Sequence, residues 1–187
     1  MVTVFLLAAC APHLYTDGDV IPWEAPTNDW GVGEVPSDLE AEGFDAGEVV
    51  TEFRLPDQFA EEVSLWQFYG KLVIVDISTL WCSPCQDLAK EVEATYEEFE
   101  SEEFEYITVL PEDLEYEVPD TAELNQWVDA FGLTRPVLAD EQAWAEVLVP
   151  AGGYPRLLLI GRDMRVLDPE IFPATDARIR EVIEAAL

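Results

Sequence analysis

Positive charge is scarce in this chain, and so are the side chains that hold metals. Nine Lys and Arg stand against 40 Asp and Glu, a formal net charge of −31 over 187 residues. Nucleic acid and anionic lipid surfaces repel such a polyanion, so no nucleic-acid partner is expected. There is one histidine, His13, and there are three cysteines, Cys10, Cys82 and Cys85. Three cysteines cannot build a disulfide-stapled scaffold. A tetrahedral zinc site wants four Cys or His ligands, and the Cys82/Cys85 pair has only distant His13 to recruit, so no metal and no other cofactor is expected. Long apolar runs are also missing. The N-terminal "VTVFLLAA", Val2 to Ala9, is far short of the ~20 residues that span a bilayer. No repeat recurs along the chain, and its 49% hydrophobic content is enough for one domain with a proper core.

What the N-terminus does have is the length and polarity of a signal-peptide apolar region, although no basic residue precedes it. Leu7-Ala8-Ala9-Cys10 resembles the bacterial lipobox. That resemblance implies that residues 1–9 are a lipoprotein signal peptide, that Cys10 becomes the lipidated N-terminus, and that acyl chains anchor the protein to a membrane of the cell envelope. Residues 10–48 then read as a lipid-anchored spacer. From residue 11 to 48 they hold four prolines, ten acids and no Lys or Arg, with no period of 2 or 3.6. Tyr15, Trp23, Trp30 and Phe44 are more aromatic than a plain linker needs, which predicts that part of it wraps the following domain.

The folded domain is assigned to residues 49–187. "VVTEFRL" reads as an edge strand, and "KLVIVDISTLW" as a central strand buried on both faces. Leu88, Val92, Tyr96 and Phe99 recur at helical spacing, so the segment from Pro84 to about Glu100 reads as an amphipathic helix with its proline in the tolerated first turn. "FEYITVL" is the next strand. Asp120 caps a helix that stops at Gly132, and "PVLAD" and "EQAWAEVLV" are a short strand and helix. "RLLLIG" and "RVLD", joined through Arg162-Asp163-Met164, make a hairpin, and "DARIREVIEAAL" a final helix. This order predicts an α/β domain with a mixed sheet.

Cys82 and Cys85 fall where the central strand gives way to a helix. Unpaired N–H groups and the positive end of the helix dipole favour thiolate at Cys82. Cys85, one turn into the helix, is placed to attack a mixed disulfide. The pair therefore reads as nucleophile and resolving thiol rather than as two inert buried cysteines.

The segment "VDISTLWCSPC", with "FGLTRPVLAD" and "GGYPRLLLIGRDMRVL" downstream, resembles the thioredoxin superfamily. Within it, these residues are similar to the membrane-anchored, periplasm-facing TlpA/ResA-type oxidoreductases of the redoxin group. The resemblance spans about residues 48 to 187. It implies a thioredoxin-like fold, a mixed central sheet flanked by helices with an N-terminal β extension. It also implies a redox-active Cys82–Cys85 disulfide, and Asp76 as the buried acid that takes the proton of Cys85. Pro155 falls at the family's cis-proline, where Tyr154 presents its backbone to substrate, and Trp81 covers the rim. The implied partners are protein thiols and disulfides and a membrane electron donor. Lys90 stands where thioredoxins often kink the helix with proline, and Leu88 where the TlpA/ResA type commonly has glutamate.

Two other readings stay open. Thr79, three residues before Cys82, matches the T-x-x-C of thiol peroxidases, although Val75 replaces the proline that begins that motif. A non-catalytic lipoprotein binding module that keeps the fold would instead use the acidic surface to hold a basic partner or cations.

Overall fold

The computed structural model describes residues 23–149 and 153–187. Leu72–Ile77 (β3) is the sheet's centre and every residue in it is buried, as its unbroken apolar character requires. Phe104–Leu110 (β4) pairs parallel to it, Ile74 opposite Tyr106, and Val137–Ala139 (β5) pairs parallel to β4. On the other side Arg156–Ile160 (β6) runs antiparallel to β3, and Val166–Asp168 (β7) antiparallel to β6. The order is therefore β5-β4-β3-β6-β7. Arg54–Pro56 (β1) and Glu62–Ser64 (β2) form a separate antiparallel hairpin, the N-terminal extension.

Alternation along β3 divides the interior into two cores. Leu72 and Ile74 face a core shared with Ser83–Phe99 (α1), Thr121–Phe131 (α2) and Asp176–Ala186 (α4). Val73, Val75 and Ile77 face a second core with Phe53, Trp66 and Trp144, the last on the short helix Trp144–Leu148 (α3). Helix α2 begins as its sequence predicts: Asp120 accepts from the Glu123 N–H at 3.0 Å and Glu123 accepts from the Asp120 N–H at 2.9 Å. Such a capping box contributes about 1 kcal/mol. Gly132 ends the helix at φ 67°, where a side chain would be strained.

The "VVTEFRL" segment is less regular than its pattern predicts. Val49 bridges Arg165 and Val50 bridges Gly43, and only from Arg54 does the chain pair with β2. The segment bends because its two halves satisfy different partners. The described part of the predicted spacer, residues 23–48, lies along the second core, with Trp23, Trp30, Val35, Leu39 and Phe44 packed on it. Polar contacts fix it there: the indole N–H of Trp30 donates to Asp57 at 2.7 Å and Asn28 exchanges hydrogen bonds with Gln67 at 3.0 and 3.1 Å. Composition changes near residue 48, but packing is continuous across it. The expected signal peptide, residues 1–9, and Cys10 lie outside the described residues.

Candidate active site

After Ile77 the chain crosses to α1 through residues 78–81, a path set by backbone bonds to the end of β4 and the residues after it. The Ser78 N–H donates to the Val109 carbonyl at 3.0 Å, and the Leu80 N–H to that of Glu112 at 3.1 Å. Cys82 then occupies the N-cap of α1, and its Sγ accepts from the Cys85 N–H at 3.3 Å. Pro84 in the first turn leaves no donor unpaired there. Cys82 and Cys85 are joined by a disulfide, their Cα atoms 5.2 Å apart. Cys82 keeps 4% of its surface exposed and Cys85 none, so the N-terminal sulfur is the more accessible one. When the bond is reduced, the helix N-terminus that surrounds Cys82 favours its thiolate.

Asp76 lies on β3 with its side chain on the face that carries Leu72, Ile74 and the dithiol core. It is fully buried. Ser78 donates to one carboxylate oxygen at 2.6 Å and the Tyr106 hydroxyl to the other at 3.4 Å. Desolvation outweighs these two hydrogen bonds and pushes its carboxyl from 3.8 up to about 7. The same burial, together with the neighbouring Asp76 charge, holds the Tyr106 hydroxyl well above its ordinary range.

The rim comes from the antiparallel pairing of β6 with β3. Because Arg156 pairs with Ile77, Tyr154 and Pro155 arrive beside the loop that leads to the cysteines. The Tyr154–Pro155 peptide is cis, as is Phe172–Pro173. The ring of Tyr154 meets Trp81 edge-on at 5.9 Å, and Trp81 in turn contacts Tyr116 at 5.6 Å. The Trp81 indole N–H donates to Glu112 at 2.8 Å. Asp76, Trp81, Cys82, Cys85, Tyr154 and Pro155 thus gather at one end of β3 and β6. Gly152 and the lipidation candidate Cys10 lie outside the described residues.

Sequence reasoning missed Ser78, Tyr106, Glu112 and Tyr116. Ser78 shares the face of Asp76 two residues on, a legible signal, whereas the other three reach the site only through the register of β4 and the loop after it. Helix α1 is continuous for 17 residues, in keeping with Lys90 in place of a helical proline. Thr79 is fully buried and its hydroxyl has no hydrogen-bond partner among the described residues.

A vicinal dithiol at the strand-to-helix junction of a five-stranded mixed sheet, faced by a cis-proline loop, defines a thioredoxin-like protein of the redoxin type. The AhpC/TSA family model matches residues 46–166, well over half of the chain, and the protein belongs to that family. Thiol-disulfide oxidoreductase ResA of Halalkalibacterium halodurans is 29% identical over 96 residues, 51% of this chain and 51% of the relative. The match therefore spans about half the length of that curated protein. Among solved structures, the thioredoxin domain of a thiol-disulfide oxidoreductase from Bacteroides vulgatus superposes with a TM-score of 0.63 at 17% identity, covering 75% of this chain and 96% of that one. A thiol:disulfide interchange protein from a Bacteroides species gives 0.63 at 19% identity, covering 75% and 89%. At such identities the likeness establishes the fold.

Proposed function

We propose that the protein is a thiol-disulfide oxidoreductase, acting as a reductant of protein disulfides in the cell envelope. The observation that carries this reading is the Cys82–Cys85 disulfide, capping α1 with Cys82 the less buried partner. In the reduced protein, the Cys82 thiolate attacks one sulfur of a substrate disulfide. A Cys82–substrate disulfide forms and the other substrate sulfur leaves as thiolate, which takes a proton. Cys85 passes its proton to the Asp76 carboxylate, and its thiolate attacks Cys82 Sγ and expels the second substrate thiolate, which is also protonated. Two electrons and two protons move to the substrate, and the Cys82–Cys85 bond is left behind. An external dithiol donor, in this reading membrane-held, restores the pair. Asp76, with its carboxyl near 7, is suited to both accept and return a proton at neutral pH. Trp81, Tyr154 and Pro155 would hold the substrate strand, and Cys10 would tether the protein by its lipid.

The test equilibrates the protein in glutathione and dithiothreitol buffers and alkylates the free thiols. A midpoint near ~−270 mV or lower supports the reductant, and one near ~−120 mV reverses the direction of electron flow. A Cys85→Ser variant should accumulate a mixed disulfide through Cys82. Failure of the pair to form a disulfide at all would sink the reading.

A second reading has one observation in its favour. The Thr79 hydroxyl, three residues before Cys82, is buried with no hydrogen-bond partner among the described residues, and it would orient a peroxide that entered beside it. Cys82 thiolate would then take one peroxide oxygen to become a sulfenate, releasing alcohol or water, and Cys85 would condense with it to the disulfide and water. Consumption of hydrogen peroxide in single turnovers of the reduced protein separates the two.

A further inference from the structure

Residues 111–120, between β4 and α2, form a loop that no step above uses. Its sequence, "PEDLEYEVPD", alternates acids with large apolar residues. Among those, Leu114 is 61% exposed, Tyr116 68% and Val118 45%. An exposed apolar side chain next to a reactive group points to a binding role when the backbone is built to hold it out. Here it is built so. Buried Asp113 accepts from the Glu115 N–H at 2.7 Å and the Glu117 N–H at 3.0 Å, and its own N–H donates to the Glu117 carbonyl at 2.8 Å. This closed turn fixes Tyr116 at φ 66°, with its ring against Trp81.

Leu114 of the same loop borders a cleft of about 300 Å³, lined also by Leu80, Trp127 and Phe131, with Gln86 and Gln126. Trp127, 4% exposed, supplies part of the cleft's apolar wall. The electrostatics are one-sided. No Lys or Arg occurs from residue 91 to 134, a stretch with fifteen acids. Carboxylate oxygens of Asp113, Glu115 and Glu123 lie within 4.8 Å of one another. Cations elsewhere do not compensate for this. Eight of the nine basic residues are held in internal ion pairs, among them Lys90 on Asp87 at 2.7 Å, and Arg162 donates to the Glu102 carbonyl at 3.0 Å.

We infer that this loop and cleft dock the protein substrate of the dithiol, selecting a cysteine-bearing segment that carries Lys or Arg and one apolar side chain. The inference rests on the thiol-disulfide reading and names the substrate class of that same site. Leu80, on the cleft wall, precedes Trp81 and Cys82 directly in the chain, so a segment joined to Cys82 would lay its flanking residues past Trp81 and Tyr116 toward the cleft. Its apolar side chain would enter between Leu114 and Trp127, and its cations would meet Glu112, Glu115 and Glu117.

The test measures kcat/KM of the reduced protein on three disulfide-bridged peptides that differ only in flanks: Arg-Leu, Ser-Leu and Glu-Leu. Each rate is divided by that with neutral hydroxyethyl disulfide on the same variant. The Arg-Leu peptide should exceed the Glu-Leu one by about tenfold or more in ~20 mM NaCl, and the ratio should fall several-fold in ~0.5 M NaCl. Glu115→Gln with Glu117→Gln should shrink the ratio by about fivefold. Leu114→Ser with Tyr116→Asn should lower the rate on Arg-Leu and Ser-Leu alike. Glu97→Gln with Glu184→Gln, the same charge change at exposed positions of α1 and α4, should leave the ratio as it was. Equal rates on the three peptides, or a preference that the loop variants retain, would overturn the docking surface. Inability to reduce hydroxyethyl disulfide would instead overturn the oxidoreductase reading beneath it.

Discussion

Replacing Asp76 by Asn should stabilise the protein at alkaline pH while slowing its chemistry. A carboxyl whose folded-state value is raised binds its proton more tightly in the native than in the unfolded chain. Such a group costs nothing below its unfolded value, and stability falls as pH rises from there to the folded value. For Asp76 that window runs from 3.8 to about 7. At about 1.4 kcal/mol per tenfold, the gap amounts to roughly 4 kcal/mol of lost stability above pH 7. Asparagine keeps one acceptor for Ser78 Oγ or Tyr106 but carries no charge, so Asp76→Asn should recover a good part of that figure, on the order of 2–4 kcal/mol at pH 8. Urea unfolding of the oxidised protein and of the variant from pH 4 to 9 is the measurement. The difference in stability should grow steadily up to about pH 7 and then level off, because every other group cancels between the two proteins. Turnover of a disulfide peptide should fall at the same time, with the mixed disulfide persisting. A stability difference that stays flat across this range would show that the Asp76 carboxyl is not held up by burial, and the proton-acceptor role would go with it.

Two further substitutions probe the frame that holds the site. Glu105, fully buried on β4, accepts an ion pair from Lys71 at 2.8 Å and another from Arg135, and Glu105→Ala should cost about 3 kcal/mol in urea melts because both cations lose their partner. In Gly33→Ala the new methyl would meet the Tyr69 carbonyl oxygen at 1.9 Å, so residues 23–48 should lift from the second core, with a loss of about 2 kcal/mol and faster proteolysis of that segment.

Glu105 also illustrates how this very acidic chain tolerates its charge. Two of its few cations, Lys71 and Arg135, serve the one carboxylate of an ion pair that folding buries completely, and most of the other paired acids stay exposed to water. Arg135 serves Glu105 and also lies over the rings of Trp30 and Tyr96, at 5.5 and 3.9 Å, so one guanidinium links β4, α1 and the N-terminal segment. Acidity at the surface therefore reflects solvation in most places. Next to Trp81, the loop at residues 111–120 sets acids among the exposed apolar side chains of Leu114, Tyr116 and Val118.

Much of this protein was legible in its residues alone, because the decisive signals are local. A β-branched run buried on both faces identifies β3, a period of 3.6 identifies α1, and Asp120 and Gly132 mark the ends of α2 through bonds made within a few residues. The spacing of Cys82 and Cys85 at the start of a helix already implied a nucleophile and a resolving thiol. Three features depended on the assembled fold. Tyr106 reaches Asp76 only because β4 pairs with β3 in one register. Trp81 meets Tyr154, Tyr116 and Glu112 only because the segments after β3 and β4 and the one before β6 lie at the same end of the sheet. Residues 23–48, acidic and proline-bearing, carry the composition of a linker, yet their aromatic side chains found a second core whose partners lie 27 or more positions away in sequence. Composition and periodicity report what a segment does with its neighbours in sequence, and those contacts, made between distant segments, are set only when the sheet closes.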